Sequence, residues 1–509
     1  VRRATQGLAN YIIKMNGQDK GVAIAFDSRH MSPEFADEAA LCLNANGIKA
    51  YVFDSLRPTP ELSFAVRELK CIAGINVTAS HNPAEYNGYK VYWEDGAQIT
   101  PPHDVNITDA VLAITDYADA KTMDKDEAVK AGLYVQIGKD VDDKYIAALK
   151  KQVKHQDAID AVQKDIKIVY TPLHGTGNIP VRRVLKELGF ENVYVVKEQE
   201  LPDGDFPTVS YPNPESEEAF ELAVKLGNEI GADILLATDP DADRLGGKEP
   251  GTYHVLTGNM SGCLLAEYEI SQMKEAGTLP EDGALIKTIV TTNLANDIAK
   301  YYNVNLIEVL TGFKYIGEQI LGFETTGKGH YCFGFEESYG CLIGTHARDK
   351  DAVVATMALC EAVAYYKTKG MSLWDKMTEM YERYGYWLDG VQAITLKGKE
   401  GIEKIQNTIE KLRQQVPTEI NGYKVLSARD YKLNTIKNME TGEVTETGLP
   451  KSNVLYYDLE GGAWVCVRPS GTEPKLKFYY GVKGTDAKDA EVKEKELGQY
   501  MINLVNSML

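Results

Sequence analysis

The sequence has no long apolar run. Its hydrophobic stretches stay well short of the roughly 18 to 20 uninterrupted residues that a membrane-spanning helix needs, and residues Val1 to Gln6 lack the apolar region of a signal peptide. We therefore expect no membrane-spanning segment in these 509 residues and no membrane partner.

Cysteine is scarce and unpatterned. The seven cysteines are odd in number, scattered and never spaced as C-x-x-C, which argues against a disulfide framework and against a zinc knuckle. Most lie in apolar runs such as residues 463–467, where a buried reduced thiol is the simplest interpretation. The pattern predicts a protein of the reducing cytoplasm.

Basic residues are outnumbered. The chain has 55 Lys and Arg against 74 Asp and Glu, a formal net charge of -19, which opposes general binding to nucleic acid or to an anionic membrane surface. An anionic ligand must therefore be captured by a local basic pocket, which favours a small phosphorylated molecule over a polymer. The length predicts three or four domains, because a domain usually has about 100 to 200 residues.

Short apolar strands that run into polar loops recur along the chain. We predict such strands at 22–26, 72–77, 166–170 and 234–237, each with a helix after its loop. Strands that alternate with helices form parallel layers, and the ligands of such sheets collect at the carboxyl ends of the strands. The polar loops lie at these ends.

The second half of the chain contains two further patterns. A helix over 262–273 and strands over 285–291 and 331–335 indicate a third α/β unit, whereas residues 464–467 and 475–480 flank a Pro/Gly loop as an antiparallel hairpin does. We predict three mixed-sheet α/β domains followed by an α+β domain, with the ranges 1–155, 156–256, 257–385 and 386–509.

Three aspartates follow one predicted strand. Asp239, Asp241 and Asp243 alternate at i, i+2 and i+4, so that in extended geometry their carboxylates point the same way. Converging carboxylates repel unless a divalent cation neutralises them, and Mg²⁺ suits such oxygen ligands. The alternatives are a solvated acidic turn and a calcium loop, but the glycine and glutamate that a calcium loop requires are missing.

Ser80 follows the predicted strand 72–77, next to His81 and upstream of Lys90. A serine at the carboxyl end of a strand, with a histidine and a lysine nearby, is a candidate nucleophile or phosphate carrier. Serine is also a common helix cap. The motif alone does not decide between these two interpretations.

Three more loops carry polar groups. Residues 468–475 (RPSGTEPK) combine a guanidinium, two hydroxyls, a glycine amide and a lysine, which can wrap a phosphate; a plain hairpin turn is the alternative. Residues 334–340 (GFEESYG) offer carboxylates and a hydroxyl suited to sugar hydroxyls. Residues 348–351 (RDKD) are by themselves typical of a solvated face.

In combination and in this order, four loops resemble the signature loops of the α-D-phosphohexomutase superfamily. They are residues 78–83 (TASHNP), 239–244 (DPDADR), 334–340 (GFEESYG) and 468–474 (RPSGTEP). Residues 311–317 (TGFKYIG) and 336–339 (EESY) are most similar to the bacterial phosphoglucomutases and related phosphopentomutases. The resemblance implies a C-terminal domain with the TATA-box-binding-protein-like fold and four domains around a central cleft.

The same resemblance implies a role for each loop. Ser80 is expected to carry a phosphoryl group and to share a Mg²⁺ ion with the three aspartates. The expected substrate-binding residues are Arg244, Gly312, Lys314, Glu336, Ser338, Arg468, Ser470, Gly471 and Thr472. Lys350 matches the general-base candidate of the family, which requires a pKa well below about 10.4; His81 is its rival, and Lys90 adds positive charge.

The implied reaction interconverts glucose 1-phosphate and glucose 6-phosphate, with glucose 1,6-bisphosphate as intermediate and activator. Phosphomannomutase, phosphopentomutase and phosphoglucosamine mutase activities use the same phosphoserine mechanism. A Mg²⁺-dependent phosphatase with an aspartyl nucleophile and a non-catalytic sugar-phosphate-binding protein are remoter alternatives.

Two segments depart from the superfamily pattern. The N-terminal Gly-Thr-x-Gly-x-Arg motif is missing and the sequence starts, without Met, in a predicted helix, so we expect the natural chain to begin earlier. Residues 244–254 are shorter than the strand and hairpin expected after the metal loop.

Overall fold

The computed structural model describes residues 1–249, 254–396, 398–470 and 475–508. The chain divides into two units, the first formed by residues 1–287 and 312–376 and the second by residues 288–311 and 377–509. None of the described helices is both long enough and apolar enough to cross a membrane.

The first sheet has the order β4-β3-β1-β2-β5. Its strands are parallel except that β4 runs antiparallel to β3. Helices pack on this sheet, and every residue of β1 and β3 is buried, as expected for strands that are covered on both faces. The elements are α1 (Arg2–Lys14), β1 (Val22–Phe26), α2 (Ser32–Ala45), β2 (Ala50–Phe53), α3 (Thr59–Glu68), β3 (Ala73–Val77), β4 (Tyr89–Trp93), α4 (His103–Leu112), α5 (Lys125–Lys130), β5 (Tyr134–Ile137) and α6 (Lys139–Lys150).

The second sheet has the order β10-β9-β8-β6-β7. Strands β7, β6 and β8 are parallel, β9 runs antiparallel to β8, and β10 runs antiparallel to β9. The elements are α7 (Gln156–Val162), β6 (Lys167–Thr171), α8 (Asn178–Glu187), β7 (Asn192–Val195), α9 (Glu217–Ile230), β8 (Ile234–Thr238), β9 (Leu245–Glu249) and β10 (His254–Leu256).

In the next part of the chain β11 runs parallel to β13, and β14 pairs antiparallel with β13. Among its helices, α13 is almost wholly buried. The elements are α10 (Gly258–Glu275), β11 (Gly283–Thr288), α11 (Leu294–Tyr302), β12 (Asn305–Val309), α12 (Phe313–Thr326), β13 (His330–Glu336), β14 (Gly340–Leu342), α13 (Ala352–Thr368) and α14 (Leu373–Tyr384).

The second unit contains an antiparallel sheet of order β15-β22-β21-β20-β17-β18-β19, with β16 paired to β17. Apolar side chains of α15 and α16, such as Ile409 and Leu497, join the core of this sheet. The predicted C-terminal α+β architecture and the hairpin formed by β21 and β22 are confirmed. The elements are β15 (Tyr386–Thr395), α15 (Gly398–Gln414), β16 (Glu419–Ile420), β17 (Tyr423–Asp430), β18 (Thr435–Asn438), β19 (Val444–Thr445), β20 (Leu455–Leu459), β21 (Trp464–Pro469), β22 (Lys475–Gly484) and α16 (Ala487–Asn506).

One arrangement recurs in the first unit. Strands β3, β8 and β13 each lie beside a parallel neighbour and each connect, through a short polar loop, to an antiparallel strand: β4, β9 and β14. The loops are residues 78–88, 239–244 and 337–339. Polar side chains from three separate sheets are therefore presented by the same kind of strand connection.

These connections correct part of the sequence-based prediction. The helices predicted after the Ser80 loop and after the Asp239 loop are wrong, because β4 and β9 follow. Four of the five residues 89–93 (YKVYW) are aromatic or β-branched, a composition that favours a strand. The strand predicted over 285–291 ends at Thr288, where the N–H of Thr291 donates to the Thr288 carbonyl (3.1 Å) and closes a turn.

Two helical glycines of the first unit give opposite predictions. A Cβ on Gly262 of α10 would lie 2.0 Å from Cδ2 of the buried Phe335 ring, whereas a Cβ on Gly322 of α12 would meet nothing within 4 Å. We expect Gly262→Ala to lower the free energy of unfolding by about 1–3 kcal/mol through overpacking. Gly322→Ala should raise it by about 0.5–1 kcal/mol, because alanine restricts the unfolded chain. Urea unfolding measures both, and equal effects of the two substitutions would contradict the packing of α10 on β13.

Candidate active site

The three predicted metal ligands meet in a tight turn after β8. Asp239, Asp241 and Asp243 are buried, and one carboxylate oxygen of each lies within 4.8 Å of the other two. The backbone is not extended here: the N–H of Ala242 donates to the Asp239 carbonyl (2.9 Å) and Ala242 has φ 51°. The carboxylates converge because the chain turns, and the extended alternation that we expected is wrong.

Hydrogen bonds fix this turn from inside and from outside. Oδ1 of Asp239 accepts the N–H groups of Asp243 (3.1 Å) and Arg244 (3.0 Å). The Pro240 carbonyl accepts both the N–H and the hydroxyl of Thr176, each over 2.8 Å. A side chain at Gly175 would place its Cβ 2.4 Å from Cα of Pro240, so only glycine allows this close approach.

The close approach of the three carboxylates shifts their pKa values. Burial, with Asp241 and Asp243 nearby, raises the pKa of Asp239 well above its ordinary value, and burial with Asp241 raises the pKa of Asp243. Burial also acts to raise the pKa of Asp241, but the charge of Lys90 and hydrogen bonds to that carboxylate outweigh it and leave the pKa low. Burial and mutual repulsion therefore oppose ionisation of Asp239 and Asp243, and Asp241 is the carboxylate that its neighbours stabilise in the charged form.

Two buried oxygens of the cluster are candidate ligands of a cation. Oδ1 of Asp241 and Oδ1 of Asp243 are buried and accept no hydrogen bond from the described part of the chain. Buried carboxylate oxygens are costly unless they are paired or coordinate a metal. Hard oxygen donors that converge on one point suit a divalent cation, and the residues present fit such an ion.

Ser80 lies directly against the cluster. Its Oγ is 2.7 Å from Oδ2 of Asp239 and 3.2 Å from Nδ1 of His81. Ser80 has φ 51°, and its N–H donates to Oγ1 of Thr78 (2.9 Å). Because β4 rather than a helix follows the loop, Ser80 is not a helix cap.

Arg29 binds the backbone of the Ser80 loop. It was not among the site residues predicted from the sequence. Its wholly buried guanidinium donates to the carbonyl oxygens of Ser80 (2.6 Å), Pro83 (2.8 Å), Tyr86 (3.0 Å) and Asn82. Its Nε lies 3.2 Å from Oδ2 of Asp27. Main-chain atoms of the loop are thus gathered around one cation.

Three cationic or titratable side chains border the cluster. Lys90 Nζ donates to Oδ2 of Asp241 (3.0 Å), and Lys350 Nζ lies 3.2 Å from Oδ2 of Asp243. Burial and the charge of Arg244 lower the pKa of His81 to about 3. Burial opposes the charge of Lys350, but neighbouring carboxylates, Asp243 first, raise its pKa above the ordinary value. With no cation bound, Lys350 therefore stays protonated.

Lys350 is linked to the first sheet through Asp349. Its Nζ also donates to Oδ1 of Asp349 (3.1 Å), whose Oδ2 accepts the hydroxyl of Tyr92 on β4 (2.8 Å). A Cβ on Gly340 would lie 2.0 Å from Cδ of Lys350, so the lysine stem passes over a position that only glycine leaves open.

Other predicted residues of the first unit lie around the same loops. Arg244 donates to Oε1 of Glu215 (2.7 Å), and Glu336, buried at the end of β13, accepts the N–H of Gly312 (2.9 Å). Burial raises the pKa of Glu336. Ser338 is half-buried in the turn between β13 and β14, and Lys314, in the first turn of α12, lies over the Tyr315 ring.

The predicted phosphate loop belongs to the second unit. Arg468 is half-buried near the end of β21, and the N–H of Ser470 donates to the carbonyl of Lys475 (2.8 Å). Gly471 and Thr472 lie outside the described residues.

Comparison with known proteins identifies the family. Four models of phosphoglucomutase/phosphomannomutase, for α/β/α domains I, II and III and the C-terminal domain, match residues 1–118, 143–248, 257–384 and 413–499. The chain belongs to the phosphoglucomutase/phosphomannomutase family. It is thus an isomerase of the phosphohexomutase type.

Several relatives of this phosphohexomutase have been curated or solved. The chain is 37% identical to a phosphoglucomutase of Staphylococcus saprophyticus over 486 residues, which cover 95% of this chain and 86% of that relative. A phosphoglucomutase of Staphylococcus aureus is 37% identical over 505 residues, 97% of this chain and 87% of the relative. The crystal structure of a putative phosphomannomutase from Thermus thermophilus has the same fold, with TM-score 0.74, 21% identity, and coverage of 99% of this chain and 94% of that one.

Residues that hold this site of the phosphohexomutase escaped the sequence-based prediction. Arg29 lies in a polar turn after β1 that has the same position as the other site loops, and that position was the available signal. Thr59, Tyr92 and Glu215 contact Asp241, Asp349 and Arg244 from distant parts of the chain. No local pattern predicts such long-range partners.

The clamp on the Ser80 loop gives a direct test. Arg29→Lys keeps one positive charge but cannot supply the planar fork that reaches several carbonyls. Each buried carbonyl left without a donor costs about 1–3 kcal/mol, so we expect residues 79–88 to exchange amide hydrogen about tenfold faster or more. Hydrogen exchange followed by mass spectrometry measures this.

The control for this test is Arg413→Lys, since Arg413 is a buried arginine that binds side chains, Asp430 among them, rather than a loop backbone. It should leave exchange at 79–88 unchanged. Wild-type exchange of these residues in Arg29→Lys would show that Arg29 does not hold the loop.

Proposed function

We propose that this protein interconverts glucose 1-phosphate and glucose 6-phosphate, with Ser80 as the phosphoryl carrier. The observation that carries the proposal is the 2.7 Å approach of Ser80 Oγ to Asp239 within a cluster of three buried carboxylates. A hydroxyl beside a cation site is the arrangement that phosphoryl transfer needs, because this reaction depends on positioning and charge neutralisation. The similarity to phosphoglucomutases supports the choice of sugar.

The proposed cofactor is Mg²⁺, held by Asp239, Asp241 and Asp243 together with the phosphate on Ser80. When bound, such an ion withdraws charge from the transferring phosphoryl group. The buried Oδ1 atoms of Asp241 and Asp243, which accept no hydrogen bond from the described residues, support this assignment. The turn at Ala242 and the bonds to Asp239 Oδ1 keep the carboxylates together before any ligand arrives.

The proposed reaction has two transfers. In the first, a hydroxyl of the hexose phosphate attacks the phosphorus on Ser80, the bond from phosphorus to Ser80 Oγ breaks, and glucose 1,6-bisphosphate forms. The bisphosphate then reorients in the site, and Ser80 Oγ attacks its other phosphate. The bond from that phosphorus to the sugar oxygen breaks, Ser80 recovers a phosphoryl group, and the isomeric monophosphate is released. Atoms balance over the cycle without a net gain or loss of phosphate.

Each transfer moves a proton as well. The attacking hydroxyl loses its proton, and we assign Lys350 as the receiving base and His81 as the alternative. Lys350 can receive a proton only after it has given one up, so its ion pair with Asp243, 3.2 Å away, must weaken in the working complex. Lys90 and Arg244 are proposed to place further positive charge near the transferring group.

The remaining predicted residues are proposed to bind the sugar phosphate. Glu336 and Ser338 are assigned to the sugar hydroxyls, with Gly312 and Lys314 beside them. The non-reacting phosphate is assigned to Arg468, Ser470, Gly471 and Thr472. We further propose the four-domain division at 155, 256 and 385, and a cytoplasmic location, which the seven buried thiols support.

Replacement of the proposed carrier should abolish turnover. We expect Ser80→Ala to lower kcat by about three orders of magnitude or more, as loss of a covalent nucleophile does. Incubation with glucose 1,6-bisphosphate should add one phosphoryl group to wild type and none to Ser80→Ala, as intact mass measures. Ser271→Ala, which removes a hydroxyl bonded to its own helix, is the control that should keep both properties.

The phosphatase alternative makes the opposite predictions for the same proteins. An aspartyl nucleophile would release inorganic phosphate from glucose 6-phosphate, and Ser80→Ala would retain that activity. Active Ser80→Ala with stoichiometric phosphate release would therefore refute the mutase assignment.

Sugar preference can be measured with three substrates. We expect kcat/KM for glucose 1-phosphate to exceed the values for mannose 1-phosphate and ribose 1-phosphate by about tenfold or more, the size of discrimination that pocket contacts supply. All three are assayed with the same Mg²⁺ and bisphosphate concentrations. A higher value for mannose 1-phosphate would replace the glucose assignment by the phosphomannomutase alternative.

A further inference from the structure

Thr59 joins the start of α3 to the middle of the aspartate turn. It is the first residue of α3 and is fully buried. Its N–H donates to the carbonyl of Asp241 and its hydroxyl donates to Oδ2 of the same residue, each over 2.8 Å. The first N–H groups of a helix have no partner within the helix. Here one of them, together with a side chain, is directed at a candidate metal ligand.

The Thr59 hydroxyl is not needed by its own helix. Threonine near a helix start commonly caps the helix with its side-chain oxygen, but the N-cap of α3 is Pro58, which makes no side-chain capping bond. The hydroxyl instead bonds a residue 182 positions away in the sequence. Helix capping therefore does not account for this threonine.

The direction of the hydrogen bonds follows from chemistry. An ionised carboxylate can only accept, so the single hydroxyl proton of Thr59 must point to Asp241. The lone pair of the hydroxyl is then available to Nδ2 of the buried Asn76, which donates to it over 2.7 Å. Asn76 on β3, Thr59 on α3 and Asp241 thus form an ordered chain of donors.

This chain distinguishes the two oxygens of Asp241. Oδ2 accepts from Thr59 and from Lys90 (3.0 Å). Oδ1 is buried and accepts no hydrogen bond from the residues that the structure describes. Rotation of the carboxylate would break two good bonds, so Oδ2 stays bound to Thr59 and Lys90, and Oδ1 is the oxygen that these two groups leave available.

We propose that Thr59 is a positioning residue for Asp241, which it holds by Oδ2 so that Oδ1 remains available to a divalent cation. The inference rests on the cation site of the proposed function. Groups that orient metal ligands from behind typically contribute about 10–100-fold to metal affinity. In this role Thr59 acts through Asp241 and is not itself a ligand of the cation.

The test uses the full chain, freed of metal with a chelator, and titrates it with Mg²⁺ while the melting temperature is followed. A ligand that binds only the folded state raises this temperature with its concentration. Thr59→Val keeps the shape of the side chain and removes the donor, and we expect it to need about 10–100-fold more Mg²⁺ for the half-maximal shift. Thr59→Ser retains the hydroxyl, so its Mg²⁺ concentration for the half-maximal shift should stay within about threefold of the wild-type value.

Turnover gives a second readout that a purely structural role would not move. We expect the Mg²⁺ concentration for half-maximal activity to rise in Thr59→Val, while kcat recovers at high Mg²⁺. Thr408→Val is the matched control, because Thr408 is an equally buried threonine whose hydroxyl bonds its own helix. Its Mg²⁺ dependence should equal that of wild type. Thr59→Ala carries the same expectation should Thr59→Val fold poorly.

The outcomes separate the two proposals. If wild type shows no Mg²⁺-dependent shift, the cation site of the proposed function is wrong and this inference falls with it. If wild type responds but Thr59→Val, or Thr59→Ala, responds at the same Mg²⁺ concentrations, the positioning role alone is overturned. A loss of stability that is equal with and without Mg²⁺ also overturns it, since it would show that Thr59 serves only the fold.

Discussion

Mutual repulsion among Asp239, Asp241 and Asp243 is the constraint on which the first unit depends. Three carboxylates lie within 4.8 Å in a buried turn, and burial raises the pKa of two of them. A fold tolerates this only if surrounding groups hold the turn firmly. A close glycine contact, buried hydroxyls and lysine ammonium groups do so.

The first unit positions its site residues with the same strand connection three times. Each of three sheets ends a buried parallel strand in a polar loop and leaves by an antiparallel strand, so the loop is tethered at both ends. Ser80, the aspartates and Glu336 all sit in or beside such loops. A loop held at both ends by β-pairing loses little further freedom when a ligand binds, which suits a reaction that depends on positioning.

Sequence reasoning was strongest where chemistry is local. The strand Val22–Phe26 and the C-terminal hairpin were predicted, because an apolar run or a turn signal lies within a few residues. The convergence of the aspartates was expected for the wrong reason, since a turn rather than an extended strand brings them together. Arg29 and Thr59 could not be found this way, because the site residues that they bind, Ser80 and Asp241, lie 51 and 182 positions away and only the folded sheets bring them near.

The grip of Arg29 has a consequence for how the Ser80 loop can vary. Within the Ser80 loop its guanidinium binds backbone carbonyl oxygens, and every residue type carries the same carbonyl. The hydrogen bonds from Arg29 to the loop therefore do not depend on which side chains the loop carries. Substitutions at 82–86 that preserve the backbone conformation therefore leave this anchor of the Ser80 loop in place.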